Sequence, residues 1–277
     1  MAADHFEMQL ARLFEDPGLR DEYLGFIKQL WSQLSSGINY PTVIGLTGGQ
    51  GTGKTTLASL LVLWARKQGI AATSVSLDDY YLSQQQRAVL AEKIHPLLAL
   101  RGMPGSHNIQ QAIIDAKAVL CSNAVALPVF DKALDQPVVA RTPMQVKLLI
   151  VEGWCLGLTP QSPEQLLPAI NQLELSEDQN LRWRTFVNEQ LAGLYQQYWQ
   201  LFSQLIWLKA PDWSAICGWR ALQEQQLWFN RSRGMSTFEL ARFMQSFQRL
   251  TEHSFSVLPR RSDIVVELDQ HHRPRLI

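Results

Sequence analysis

The stretch "VIGLTGGQGTGKTTLASLLV", residues 43 to 62, constrains this chain more than any other. An apolar run leads into a glycine-rich turn and then into an amphipathic pattern carrying Lys54 and Thr55, so a strand, a turn and a helix are expected in that order. "GGQGTGKT", Gly48 to Thr55, satisfies G-x-x-x-x-G-K-[ST] in full. Gly48, Gly49, Gly51 and Gly53, with Gln50 and Thr52 between them, let the backbone turn successive N–H groups toward phosphate oxygens. The helix starting near Lys54 adds its positive amino end, Lys54 offers a cation to the β- and γ-phosphates, and the Thr55 hydroxyl can ligate Mg²⁺. Thr56 completes the set expected to hold the nucleotide. The bland alternative, a glycine turn that merely joins strand to helix, does not account for the lysine and threonine in that setting.

With 277 residues, 46% of them hydrophobic, one decorated α/β domain over 1–277 is expected. Lys+Arg and Asp+Glu are both 25, so no net field draws nucleic acid or an anionic membrane, and neither is expected as a partner. Cys121, Cys155 and Cys217 are far apart and form no C-x-x-C pair, which argues against a disulfide framework or a zinc site and for a reducing cytoplasm. The opening "MAADHFEMQLARLFEDPGLR" has no basic stretch followed by an apolar one, so no secretory leader is expected. The apolar run "LASLLVLWA" falls well short of the roughly 20 residues of a membrane span.

Apolar residues at helical spacing from Phe6 to Leu34, broken at Asp16-Pro17-Gly18, predict two helices, a helical N-terminal extension over 1–40. "YPTVIGLTG", "AATSVSLDDYY", "VKLLIVEGW", "SQLIWLKAP" and "SDIVVELD" read as five strands separated by helical stretches, hence a parallel β-sheet flanked by helices. Residues 160–203 read as a helical insertion. Trp183, Trp199, Trp207, Trp213, Trp219 and Trp228 come without a basic pattern, so they indicate helices packed on the sheet or on a partner subunit rather than a base-stacking platform. A homodimer stays open.

"LLIVE" puts Glu152 at the carboxyl end of a buried strand, where such sheets bind ligands, and makes it the second metal-side residue; a strand-end cap is the alternative. The chain has no N-K-x-D tetrapeptide for reading a guanine, which turns the reading from a GTPase switch toward a small-molecule kinase. "SLDDYYLSQQQR" places Asp78, Asp79, Tyr80 and Tyr81 where the second strand ends. One aspartate can accept the hydrogen bond of an acceptor hydroxyl and orient it, a task of positioning more than of basicity. Alternation puts the two aspartates on opposite faces, so only one points into the crevice and the other is free to cap a helix.

Taken together, "GLTGGQGTGKTT", "SLDDYYL", "HPLLALRGMPGSHN", "PVFDKALDQ" and "LLIVEGWCLG", in this order and spacing, resemble the D-glycerate 3-kinase family, P-loop kinases related to uridine kinase, phosphoribulokinase and pantothenate kinase. The resemblance covers most of residues 40 to 270. It implies a P-loop NTPase fold, ATP and Mg²⁺ as cofactors, glycerate as the small-molecule acceptor and 3-phosphoglycerate as product. It makes Asp78 the counterpart of the aspartate facing the acceptor hydroxyl, and it places Tyr81, Lys132 of "FDK", and Arg101, Ser106 and His107 of "RGMPGSHN" near the acceptor.

Arg101, His107 or Lys132 could neutralise a carboxylate there. The family's loop usually reads Gly-Thr-His-Asp; Ser106 and Asn108 stand here in place of the threonine and the aspartate, and His107 read without the resemblance is a cap or loop-packing residue. Arg220 is similar to the arginine of the family's W-R-x-x-Q helix, and Arg231 and Arg233 lie in a glycine-ended stretch that could close as a lid, against the alternative of a solvated face. By analogy Pro259 to Arg261 would contact the adenine. The remaining alternatives are another acceptor of the uridine- or pantothenate-kinase class, and an ATP-binding regulatory protein without transfer.

Overall fold

Five of the apolar runs pair into one sheet. The computed structural model describes residues 3–231 and 234–277. In it, β1 (Thr42–Gly48), β2 (Ala72–Ser76), β5 (Leu148–Gly153), β6 (Gln204–Lys209) and β7 (Ile264–Leu268) run parallel in the order β2-β5-β1-β6-β7, and β8 (Pro274–Leu276) closes the edge antiparallel to β7. Every residue of β1 and β5 is buried, as expected for strands covered on both faces. Val43, Leu149 and Val151 join one core, and Ile44, Leu46, Leu148 and Ile150 join the other, following the period of two.

The helices are α1 (Ala3–Leu13), α2 (Pro17–Ser35), α3 (Lys54–Lys67), α4 (Gln84–Lys93), α5 (Ile109–Leu120), α6 (Pro163–Leu166), α7 (Gln172–Glu177), α8 (Arg182–Gln190), α9 (Gln196–Trp199), α10 (Trp213–Arg231) and α11 (Thr237–Val257). The break between α1 and α2 falls where it was expected, because the Asp16 carboxylate accepts from Leu19 N at 2.8 Å and Pro17 occupies a first-turn position that needs no N–H. Residues of α1, α2 and α3 share one face of the sheet and α5 and α9 the other, while α11 gives Leu240 and Met244 to the first core and Phe247 and Leu250 to the second. None of the described helices is long and apolar enough to cross a membrane.

Two features were not expected from the sequence: the short β8, and a hairpin of β3 (Val129–Asp131) and β4 (Gln136–Val138). The stretch read as a helical insertion holds α6 to α9 and is anchored by a buried ionic cluster. Glu174 has no exposure at all; it takes Arg249 of α11 at 2.7 and 2.6 Å and Arg184 at 3.2 Å. Asp178 beside it accepts from Trp183 N and Arg184 N, fixing the start of α8. Two guanidiniums held by one desolvated carboxylate cannot lose it cheaply. Glu174→Ala is therefore expected to cost about 3–5 kcal/mol in urea unfolding; a loss under about 1 kcal/mol would show that the cluster does not hold the insertion to α11.

Candidate active site

All five parallel strands end on one side of the sheet, and the glycine-rich turn leaves β1 at that side. Gly51 and Gly53 have φ of 78° and 84°, the left-handed region in which a side chain is strained, and a Cβ on Gly51 would sit 2.8 Å from Trp219 Cβ. Gly48 and Gly49 pack behind the turn, against β6 and Ile216 of α10. Lys54 Nζ curls back to donate to Gly49 O at 2.7 Å, and Thr52 Oγ1 donates to the same carbonyl at 2.8 Å. Thr55 Oγ1 donates to Glu152 Oε1 at 2.9 Å, so the hydroxyl and carboxylate read as metal-side residues meet.

In front of them lies a cleft of about 590 Å³. Gln50, Gly51, Gly53, Lys54, Thr55, Thr56 and Glu152 line one part of it; Asp78, Tyr81, Arg101 and Lys132 line another; Arg220 comes from α10. Asp78 is the aspartate that faces the cleft. Its Oδ2 accepts from Lys132 Nζ at 2.6 Å and its Oδ1 from Tyr81 Oη at 2.7 Å. Asp79 points away: it accepts from Ser76 N and Phe130 N at 3.2 Å each and lies 3.5 Å from Arg141, so it caps the turn Leu77–Tyr80 and ties β3 to it.

"SLDDYYL" and "RGMPGSHN" are stitched together by backbone. Leu82 N donates to Ser106 O at 2.8 Å, Asn108 N donates to Tyr80 O at 2.7 Å, and Tyr81 bridges His107. Ser106 is buried and serves the loop, accepting from Gly102 N and donating to Met103 O, while Asn108 caps α5 by accepting from Gln111 N. His107 is the correction here. It is 4% exposed, stacks on Tyr81 at 4.6 Å and pairs through Nδ1 with Tyr195 Oη at 2.7 Å, outside the lining of the cleft. Burial pulls its pKa down to about 4 despite the opposing pull of Asp78, so at neutral pH it is no cation for an acceptor carboxylate.

Burial would raise the Asp78 carboxyl, but the Lys132 ammonium and the Tyr81 hydroxyl outweigh it and hold the group below its ordinary value. Burial and Asp78 push Tyr81 well above its ordinary value, which keeps its hydroxyl a donor. Lys54 is lowered by burial, with Glu152 and Asp78 pulling back. Arg220 pairs with Glu224 at 2.5 Å. The Arg231 side chain and Arg233 lie outside the described residues. Pro259 to Arg261 are a second correction: they precede the amino end of β7, none lines the cleft, and Arg261 Nε donates to Gly157 O. What reaches the loop is the opposite end of β7, where His272 Nε2 donates to Gly51 O at 2.9 Å and the ring lies 4.0 Å from Trp219.

Several lining residues went unread in the sequence. Trp154 follows Glu152 by two and donates to Gly102 O; Phe243 and Phe247, spaced i and i+4 on α11, form an apolar wall with it; Gln223 and Gln226 follow Arg220 on α10. Asp135, in the turn of the hairpin, takes both Arg101 and the fully buried Arg87. Trp154 sits in the quoted block "LLIVEGWCLG" and Gln223 is the glutamine of W-R-x-x-Q, while the i, i+4 spacing of the two phenylalanines reads equally well as core.

No family model matches the chain. It is 28% identical over 221 residues to the uncharacterised kinase mug58 of Schizosaccharomyces pombe, covering 75% of this chain and 78% of that protein. Chloroplastic D-glycerate 3-kinase of Arabidopsis thaliana is 25% identical over 259 residues, 85% of this chain but only 54% of the plant protein, so the chain spans about half of that relative. The structure of D-glycerate 3-kinase from Cryptococcus neoformans overlays with a TM-score of 0.72 at 20% identity, over 93% of this chain and 98% of that one. The chain has the P-loop NTPase fold and resembles the D-glycerate 3-kinase family.

In this P-loop fold the buried His107 makes a separable contribution to stability. Unfolded, it takes up a proton near its ordinary 6.5; folded, it refuses one until about 4. The unfolded state therefore binds the extra proton across that window, and stability falls as pH falls through it, by up to about 3 kcal/mol. Urea unfolding of wild type and His107→Gln at about pH 7 and about pH 4.5 checks this: the variant should lose less stability on acidification, and equal losses would clear His107 of the effect.

Proposed function

We propose that the chain, acting as a single domain, transfers the γ-phosphoryl of ATP to a hydroxyl of D-glycerate, giving 3-phosphoglycerate and ADP. One observation carries the reading: the Lys54–Thr55–Glu152 group and the Asp78–Lys132–Arg101 group line the same cleft. The first group suits a nucleoside triphosphate. Loop amides and Lys54 hold phosphate oxygens, and the amino end of α3 adds its dipole.

Thr55 and Glu152 fit Mg²⁺. A hydroxyl and a carboxylate 2.9 Å apart are hard oxygen donors, and among the described residues no three His, Cys, Asp or Glu side chains group to hold a metal unaided. That donor set suits an ion bound largely through phosphate and water oxygens. Bound there, Mg²⁺ would neutralise charge on the β- and γ-phosphates.

The second group suits a small hydroxy acid. Asp78 is ionised at neutral pH and can accept the acceptor's O–H, aiming the oxygen without removing the proton early. Lys132 and Arg101, beside Asp78 in the cleft, would take a carboxylate, and Arg220 of α10 would balance charge on the transferring group. The apolar wall of Trp154 and Phe247 would keep water from competing with the acceptor. The two relatives named as D-glycerate 3-kinases support this acceptor over others of the class. Free Cys121, Cys155 and Cys217 agree with a reducing compartment such as the cytoplasm.

ADP release from Mg-ATP should depend on D-glycerate in a panel of small alcohols, nucleosides and pantothenate. Release that ignores D-glycerate would sink the acceptor assignment, and binding of nucleotide with no turnover on any acceptor would make the protein a regulatory one. Asp78→Asn should lower kcat by about 10²–10⁴ with ATP affinity nearly intact; unchanged turnover would remove Asp78 from its role.

A further inference from the structure

Arg87 of α4 carries a permanent charge on a side chain that is 1% exposed, and such a group needs a counter-charge. Among the described residues one carboxylate meets it, that of Asp135 in the turn between β3 and β4, and its Nε and Nη1 have no partner. Neither Arg87 nor Asp135 lines the cleft. The other oxygen of Asp135, Oδ1, accepts from Nη1 of Arg101 at 2.5 Å, and Arg101 does line it. The Arg101 guanidinium also lies 5.7 Å from the Phe130 ring, so the carboxylate and the ring that fix it both come from the hairpin. Nη1 is the one Arg101 nitrogen with a hydrogen bond among the described residues, which leaves Nε and Nη2, an edge that matches the two oxygens of a carboxylate.

We infer that Asp135 is a positioning residue for the acceptor: anchored on Arg87, it holds the Arg101 guanidinium with its Nε–Nη2 edge available to the carboxylate of a small hydroxy acid. The inference rests on the acceptor reading proposed above and adds to it where selection for an acid is set, in two residues behind the cleft wall. An ion pair such as Arg101–Asp135, each side chain about a third exposed, would hold little by itself. Here the carboxylate is fixed from behind, because releasing it would strand the buried charge of Arg87. Asp131 supplies the turn that brings Asp135 round to α4, its Oδ1 accepting from Ala133 N and Leu134 N at 2.7 and 3.0 Å. An Arg101 ordered before the acceptor arrives need not be ordered by it, which favours acceptors that present a carboxylate at that edge.

Steady-state kinetics of the full chain with Mg-ATP and D-glycerate test this. Arg87→Met removes the anchor without stranding a buried charge, since Asp135 is partly exposed and retains Arg101. It should raise KM for D-glycerate by about threefold to tenfold, the cost of ordering one long side chain on binding, with kcat and KM for ATP nearly unchanged. The double variant Arg87→Met, Asp135→Asn alters no net charge, and Asn enters the left-handed region that residue 135 occupies, φ 54°, as readily as Asp does. Its KM for D-glycerate should rise at least as far, which separates lost positioning from lost positive charge. A KM for D-glycerate at the wild-type value in either folded variant, or a loss that falls on kcat or on KM for ATP instead, overturns the positioning role alone. A wild type whose ADP release ignores D-glycerate overturns the acceptor reading and this inference with it.

Discussion

Everything polar in the cleft depends on five strands running in one direction. A parallel sheet covered on both faces has no solvated face on which to place chemistry, so polar residues gather where strands stop and helices begin. The register makes this concrete: Leu46 of β1 stands beside Glu152 of β5, and Ser76 of β2 beside Glu152 from the other side. The turn after β1, the carboxylate ending β5 and the Asp78 turn after β2 are thereby brought to one edge, although they span residues 48 to 153 of the chain. The Thr55–Glu152 hydrogen bond is the first consequence, since a hydroxyl on the first turn of α3 meets a carboxylate one strand away.

The wall around Asp78 needs a different device, because its residues come from loops. Loop backbone is held only by what it bonds to. Here the Tyr81–His107 bridge, the flanking bonds of Leu82 and Asn108, and the Tyr195 hydroxyl that accepts from Gly105 N and meets His107 Nδ1 form a buried frame behind Asp78. Asp79 adds the hairpin to that frame through Phe130 N, which brings Lys132 within reach of Asp78. The two neighbouring aspartates thus divide the labour: Asp79 holds the loop and Asp78 faces the cleft.

The phosphate-binding half was legible in the sequence because each of its positions has a local cause, such as a positive φ at Gly51 and Gly53, and local causes leave a spacing. Glu152 was legible for a related reason, four apolar residues and then an acid. By alternation Asp78 was readable only as one of two, and the family resemblance alone singled it out; the Ser76 cap that claims Asp79 gives the physical reason. The β3–β4 hairpin was not legible, having three residues a strand and an exposed β4, too short for any period to register. Neither was the burial of His107, which depends on Tyr195, 88 positions along the chain and inside the helical insertion. Pro259 to Arg261 do precede the last strand, as read, but the adenine contact was analogy alone, and residues before a parallel strand lie at the edge of the sheet opposite the turn after β1.

The cations of the cleft differ in how far they are already satisfied. Lys132 is paired with Asp78, Arg101 with Asp135 and Arg220 with Glu224, so an anion that engages any of them exchanges with, or adds to, a carboxylate. Such pairing limits repulsion among positive groups crowded into one space, and it reduces what each gains from a ligand, because the desolvation has been partly offset before binding. Lys54 is the exception. Its hydrogen bond is to a neutral carbonyl, that of Gly49, and burial lowers its pKa although Glu152 and Asp78 oppose that shift. A group desolvated without a direct carboxylate partner has the most to gain from an incoming phosphate oxygen. On the proposed function, binding energy would therefore concentrate at the turn after β1, while the opposite wall, with its cations already paired, would discriminate among acceptors by how well they replace or join the carboxylates it holds.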